Sequence, residues 1–157
     1  MSEIRRAVEQ DAPQLAALNA HVQELHRAHE PERFKPTDEA AVARRFAALL
    51  QQENVRAWLA TTPDGALGYV LAITHERAEN VFQRARRYCE IDQLAVVPSA
   101  RRRGIGRRLV EHAVRDAHDR AVHDIEISVW AFNGDALALY RSLGFAPSVI
   151  RVRSERW

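Results

Sequence analysis

Between Tyr88 and His112 the chain reads YCEIDQLAVVPSARRRGIGRRLVEH, and its chemically most telling part is Arg101 to Gly106, RRRGIG. The chemistry available there is anion binding. Where a strand turns through glycines into a helix, the first helical amides lack intrahelical acceptors and converge on one spot. Gly104 and Gly106, without Cβ atoms, let that backbone approach a phosphate. Arg101, Arg102, Arg103, Arg107 and Arg108 surround it with guanidinium groups that fork onto phosphate oxygens. The spacing narrows the choice. The third glycine of a dinucleotide fingerprint would fall at Leu109, and no Gly-Lys-Ser/Thr follows as a P-loop requires. Such a basic run also suits nucleic acid, or merely a solvated helix face. No aromatics interleave it and the net charge is only +2, which disfavours nucleic acid.

The elements that must position this loop follow from patterning. Tyr88 to Val97 is rich in β-branched and apolar residues and is closed by Pro98, which predicts a strand. From Arg107, the spacing of Leu109, Val110, Ala113, Val114 and Ala117 predicts an amphipathic helix. Ile4 to Val8 reads as a first strand. Asp11 reads as the cap of a helix from Ala12 to about Leu25, with Pro13 in its first turn. Thr37 reads as the cap of a second helix reaching about Gln52. Val55 to Ala60 and Leu67 to Thr74 form a hairpin around Pro63, Asp64 and Gly65, with Trp58 and Tyr69 packing on the sheet. His75 to Arg87 is charged and reads as a long loop or short helix. Ile125 to Trp130 is a further strand, Asn133 caps a short helix ended by Gly144, and Phe145 to Val152 is the last strand. The expected order is βααβββαβαβ, one domain over residues 1–157.

The loop with its preceding Leu-Ala-Val-x-Pro, together with NGDALALYRSLGF from Asn133 to Phe145, resembles the GCN5-related N-acetyltransferase superfamily. There, a (Gln/Arg)-x-x-Gly-x-(Gly/Ala) loop grips acetyl-coenzyme A, and the tail matches an Asn-x-x-Ala-x-x-Leu-Tyr-x-x-x-Gly-Phe ending. The resemblance covers nearly the whole chain. It implies an α/β fold: a single domain with a mixed, mostly antiparallel central sheet, a splayed parallel pair, and about four flanking helices. It further implies that the backbone of Leu94, Ala95 and Val96 pairs with the pantetheine arm, that amides from Arg101 through Arg102, Arg103, Gly104, Ile105 and Gly106 to Arg107 hold the pyrophosphate, and that Asn133 lies near the cofactor.

Amine attack on a thioester needs a base, a stabilised oxyanion and a proton for the departing thiolate. A phenol, with an ordinary pKa of about 10, matches an aliphatic thiol, and the motif makes Tyr140 the general acid; without the motif it would read as a core residue of its helix. Glu90 lies where the histone acetyltransferase branch places its catalytic glutamate, fourteen residues before Gly104. Asp92 shares its face if the strand is regular, and competes for the role of base. Both carboxylates could instead pair with Arg86 or Arg87, and a water-relayed base is a further alternative. The ribosomal-protein acetylating branch has a glutamate five residues before the Asn; here that position is Ser128, which counts against that branch, although Glu126 shares the strand face.

Other residues exclude more than they assign. His21, His26 and His29 are spaced by five and three, so no two stand one helical turn apart and no metal is expected. Cys89, the single cysteine, fits a reducing compartment and an inert buried thiol. No apolar run approaches 18 residues and no signal peptide opens the chain, so a cytoplasmic protein without membrane partners is expected. With 157 residues, 46% of them hydrophobic, the chain can bury one substantial core. The expected activity is direct transfer of an acetyl group from acetyl-coenzyme A to an amine of a small molecule or peptide end. A catalytically silent acyl-coenzyme A sensor is the alternative, with a nucleic-acid-binding domain behind it. The acceptor would be chosen by His21 to Pro36, Trp58 and His75 to Arg87. A homodimer through the last strand and Trp157 is also expected.

Overall fold

A computed structural model describes residues 1–154. Five strands lie in the order β1 (Glu3–Arg6), β2 (Val55–Thr62), β3 (Gly65–Arg77), β4 (Arg86–Val96) and β5 (Ile125–Ile127). The first three pairings are antiparallel and β4–β5 is parallel. Among the described residues there are four α-helices: α1 (Ala12–His29), α2 (Glu39–Leu50), α3 (Ile105–Asp119) and α4 (Gly134–Ser142). This is the expected α/β mixed sheet.

Strand alternation divides the apolar residues between two layers. On one face Val55, Ala57, Leu59, Tyr69 and Leu71 pack against Leu15, Ala16 and Leu18 of α1 and Phe46 of α2. On the other, Trp58, Ala60, Val70, Ala72, Cys89 and Ile91 pack against Ile105, Leu109, Ala113 and Ala117 of α3. Trp58 is therefore core beneath α3, 3% exposed and edge-on to His112, and is removed from the expected acceptor surface.

β4 changes phase partway along. Leu71 pairs with Gln93 but the next residue of β3, Ala72, pairs with Ile91, so Asp92 is an extra residue in a β-bulge. Before it, Cys89 and Ile91 face α3; after it, Ala95 faces α1. The Asp92 carboxylate accepts from the Gln93 carboxamide, which reaches Tyr69 and Asn19 on the α1 side, the side to which alternation also assigns Glu90.

Other boundaries also differ. Asp38 rather than Thr37 caps α2, its Oδ1 accepting the Ala40 amide at 3.2 Å. α1 continues past Leu25 to His29, placing His26, Arg27 and His29 in its last turn, where cations meet the negative end of the helix dipole. The charged segment 75–87 is strand at its two ends, 75–77 and 86–87, with the expected loop between them at 78–85. Its polarity hides a solvated hairpin end in which Arg87 pairs with Glu76 at 3.3 Å and Arg77 Nε donates to the Tyr88 hydroxyl at 3.2 Å. The last strand expected at Phe145 to Val152 does not form: the segment is irregular, with Val149, Ile150 and Val152 at 86, 79 and 86% exposure. Pro147 removes a ladder donor there, and β5 offers only three residues as a template. Trp157 lies outside the described residues.

Candidate active site

After β4 the chain makes a short 3₁₀ turn at Pro98–Ala100 and enters α3 through Gly104, whose φ of +75° is left-handed and favours glycine. The first helical bond runs from the Arg108 amide to the Gly104 carbonyl at 3.0 Å, so the amides of Ile105, Gly106 and Arg107 are left open. A Cβ at Gly104 would meet nothing within 4 Å, whereas one at Gly106 would stand 3.3 Å from Leu139 Cδ2. Gly104 therefore shapes the turn, and Gly106 lets α4 close over the start of α3.

The arginines divide by their partners. Arg101 Nε donates to the Val96 carbonyl at 3.1 Å, and Arg107 donates to Ser142 Oγ at 2.8 Å. Arg108 holds Ser2 through its carbonyl at 2.8 Å and its hydroxyl at 2.9 Å. Arg102 reaches Asp135 only at 4.0 Å, both side chains being largely exposed. Arg103 makes no ion pair among the described residues. Arg102 and Arg103 are the cations left for a ligand.

The parallel rungs of β4 and β5 are Cys89–Ile125, Glu90–Glu126 and Ile91–Ile127. β5 then ends while β4 continues to Val96, which leaves the far edge of Leu94 to Val96 without a strand neighbour. The Val97 amide bonds the Leu67 carbonyl of the β3 side at 2.9 Å. Across that planar trans peptide the Val96 carbonyl points the other way, into the gap. By alternation the backbone groups of Leu94 and Val96 face the gap and those of Ala95 face β3.

α4 lies over the loop end of this gap. Asn133 caps it, its Oδ1 accepting the Ala136 amide at 3.2 Å. Tyr140 is 9% exposed, its ring edge-on to Phe145, and its hydroxyl makes no hydrogen bond among the described residues. Burial pushes its phenol up to about 12, so it stays protonated at neutral pH.

At the opposite end, Glu90 stands one rung before the strands part. Its carboxylate meets His75 Nε2 at 2.8 Å, not an arginine. Arg86 is taken by Asp124 at 2.7 Å and by a short bond to Glu126, and Arg87 by Glu76. Asp92 is exposed at the bulge and accepts from Gln93 Nε2 at 3.0 Å. An aromatic wall forms from three separate segments. His26 lies 5.0 Å from Phe34 and 5.9 Å from Phe132, His29 stacks on Phe132 at 4.5 Å, and Trp130 stacks on Phe132 at 5.7 Å. Arg33 covers the Trp130 ring at 4.9 Å. His26 Nδ1 is buried without a partner among the described residues, and burial lowers its pKa. Trp130 and Phe132 carry no motif; two large aromatics just before a helix cap were the one available signal. His21 lies elsewhere, lining a cavity of about 230 Å³ with Gln14, Leu18 and Val97. A second cavity, of about 210 Å³, opens between α1 and α2 over Asn19, Arg45 and Gln93. At its floor the Tyr69 hydroxyl donates to Gln93 Oε1 at 2.7 Å and accepts from Asn19 Nδ2 at 2.9 Å.

A sheet that parts beside a loop of open amides, under a helix carrying a buried phenol, is the arrangement of one large family. The model of the acetyltransferase (GNAT) family matches residues 19–145, and the chain belongs to that family. Over 58 residues it is 45% identical to the [ribosomal protein bS18]-alanine N-acetyltransferase of Salmonella typhimurium and 43% to that of Escherichia coli. In each case the match covers 37% of this chain and 39% of the relative, so the chain spans about two fifths of the length of these relatives. A mutant of the BH1408 protein from Bacillus halodurans superposes with a TM-score of 0.93 over 99% of both chains at 25% identity. The aminoglycoside N-acetyltransferase AAC(6')-Iy, solved in complex with CoA, shares the fold, with a TM-score of 0.77 at 17% identity over 99% of this chain and 95% of its own.

Proposed function

We propose that the protein is an N-acetyltransferase that moves an acetyl group from acetyl-coenzyme A directly to an amine. The observation that carries this reading is the continuity of the gap beside Leu94 to Val96 with the open amides of Ile105 to Arg107. An extended arm fits the first and a pyrophosphate the second. In that placement Leu94 and Val96 offer backbone groups to the arm, while Arg102 and Arg103 add charge at the phosphate end. Arg101 acts less as a phosphate ligand than as a clasp on the end of β4. Asn133 contributes by fixing the start of α4.

Acetyl-coenzyme A supplies an acyl group activated as a thioester. Glu90, at the apex of the gap, takes a proton from the incoming ammonium, and Tyr140 gives one to the departing thiolate. The extra residue at Asp92 leaves backbone outside the ladder at the same level, where an amide can meet developing negative charge. Asp92 is exposed and bonded to Gln93, whereas Glu90 is three-quarters buried, which favours Glu90 as base. The aromatic wall and the acidic residues Glu90 and Glu126 favour a cationic amine as acceptor. Ser128, in place of a glutamate, argues against the acceptor named for the ribosomal-protein relatives.

Thermal unfolding with and without acetyl-coenzyme A tests this reading. A ligand at 100 times its dissociation constant adds about 2.7 kcal/mol to the native state, and a clear upward shift is expected. A folded protein that does not shift at saturating ligand refutes the reading.

A further inference from the structure

The carboxylate at the apex of the gap has an unusual partner for a carboxylate among so many arginines. Glu90 pairs across the sheet with Ile73 of β3 and Glu126 of β5, immediately before Ile91–Ile127, the last rung. Both nearby arginines of β4 are engaged elsewhere, Arg86 by Asp124 and Glu126 and Arg87 by Glu76. What Glu90 does meet is His75 Nε2 at 2.8 Å, from the neighbouring strand. An arginine clamp would make Glu90 a poor proton acceptor, because guanidinium never gives up its charge. Imidazole is the one basic side chain that takes up and releases a proton near neutral pH.

The histidine is held as a built part. Its ring stacks on Tyr88, with centroids 4.9 Å apart and planes 24° apart. Tyr88 is in turn fixed by Arg77 Nε on its hydroxyl at 3.2 Å and by the Arg86 guanidinium 4.2 Å from its ring centroid. The charged groups around the pair are thus Arg77 on β3, Arg86 on β4 and Glu126 on β5. The side chains of His75 and Glu90 are about a third and a quarter exposed, 32% and 25%, so the pair connects the apex to solvent.

We propose that His75 is a positioning residue and proton outlet for Glu90, so that the working base is a Glu90–His75 pair; this rests on the acetyl-transfer reading above. The proton leaves the acceptor ammonium, whose N–H bond breaks as an O–H bond forms on Glu90. It then crosses the 2.8 Å contact to His75 Nε2, which can receive it when the neutral ring carries its hydrogen on Nδ1, because an imidazole ordinarily holds a proton more tightly than a carboxylate. The imidazolium gives that same Nε2 proton to water, which restores both the Nδ1–H imidazole and the Glu90 carboxylate. No other reactant is consumed.

Steady-state thiol release from acetyl-coenzyme A with an accepted amine, on the full chain, tests the pair. His75→Ala is expected to lower kcat at least tenfold, leaving the amine KM within about twofold and the acetyl-coenzyme A thermal shift intact. Added imidazole is expected to restore the rate saturably in His75→Ala and not in Glu90→Gln. His75→Gln keeps a hydrogen bond to Glu90 but carries no proton, and is expected to be as slow as His75→Ala. Full activity in His75→Gln, a His75→Ala defect that imidazole leaves untouched, or equal rescue of Glu90→Gln overturns the proposal. If wild type shows no acetyl-coenzyme A shift, it is instead the acetyl-transfer reading that has failed. A wild type that shifts and turns over while His75→Gln is unimpaired fails the pair alone.

Discussion

The two ends of the gap between β4 and β5 are built in opposite ways. The loop end is local. Eleven consecutive residues, Leu94 to Gly104, supply the strand edge, the turn and the left-handed entry to α3, and a short stretch of α4 closes over them. The apex pair and the aromatic wall are assembled from a distance: Glu90 from β4 with His75 from β3, and, in the wall, His26 and His29 from α1, Phe34 from the loop after it, and Trp130 and Phe132 from beyond β5. A backbone site tolerates most side chains and demands glycine where dihedrals are unusual. A side-chain site demands particular side chains and imposes little on the intervening chain. A ligand shared by many relatives suits the first kind, and an acceptor peculiar to one protein suits the second.

The sharpest way to break the loop end is Gly104→Glu. A residue with a Cβ at φ +75° costs roughly 1–2 kcal/mol in strain, and the new carboxylate would stand at the mouth of the open amides. Loss of the acetyl-coenzyme A thermal shift in a folded variant is the expected result; a retained shift would move the cofactor elsewhere. Tyr140→Phe should separate binding from chemistry. Because the hydroxyl makes no hydrogen bond among the described residues, stability and cofactor shift should hardly change, while kcat falls on the order of 100-fold. An unchanged kcat would remove Tyr140 from the mechanism.

Trp130→Ala probes the aromatic wall without touching the loop. Losing the stacked wall should raise the amine KM about tenfold, or about 1.4 kcal/mol, with the cofactor shift preserved. Equal loss of both affinities would show that the two ends are not separable. The smallest effect is a dependence on pH carried by a histidine of the wall. Burial holds the His26 imidazole below its ordinary value of about 6.5. The stability that neutral His26 contributes is therefore whole above about pH 6.5 and is lost as pH falls through the lower folded value. Thermal unfolding from pH 7.5 to 5 should show a loss that His26→Leu reduces; an identical profile in both proteins would deny His26 any part in it.

This division also explains what could be read from the sequence. The loop and the helix it opens follow from neighbouring residues, as does the hairpin at Pro63 to Gly65, whereas the parting of β4 from β5 is implied only by the resemblance to the acetyltransferase superfamily. The pairing of Glu90 with His75 depends on the register between two strands, and nothing local sets that register at residue 92. Polarity misled only at the ends of 75–87, where charged residues pair across an exposed hairpin, and β-branched residues misled at 145–152, where no strand is available to receive them. Trp58 looked like a surface aromatic, but strand parity carries it under α3.

The bulge at Asp92 has a consequence for how the chain avoids misfolding. Were Asp92 absorbed into a regular ladder, everything beyond it would turn over: the Gln93 carboxamide would enter the apolar layer under α3, and Leu94 and Val96 would leave that layer. The bonds from the Tyr69 hydroxyl and from Asn19 Nδ2 to Gln93 Oε1 are available only in the bulged arrangement. A buried polar trio thus acts as a register lock, penalising the slipped sheet by an unsatisfied amide and rewarding the native one. Removing the lock, as in Gln93→Leu, would make the two alignments of β4 closer in energy and leave the strand a choice it does not now have.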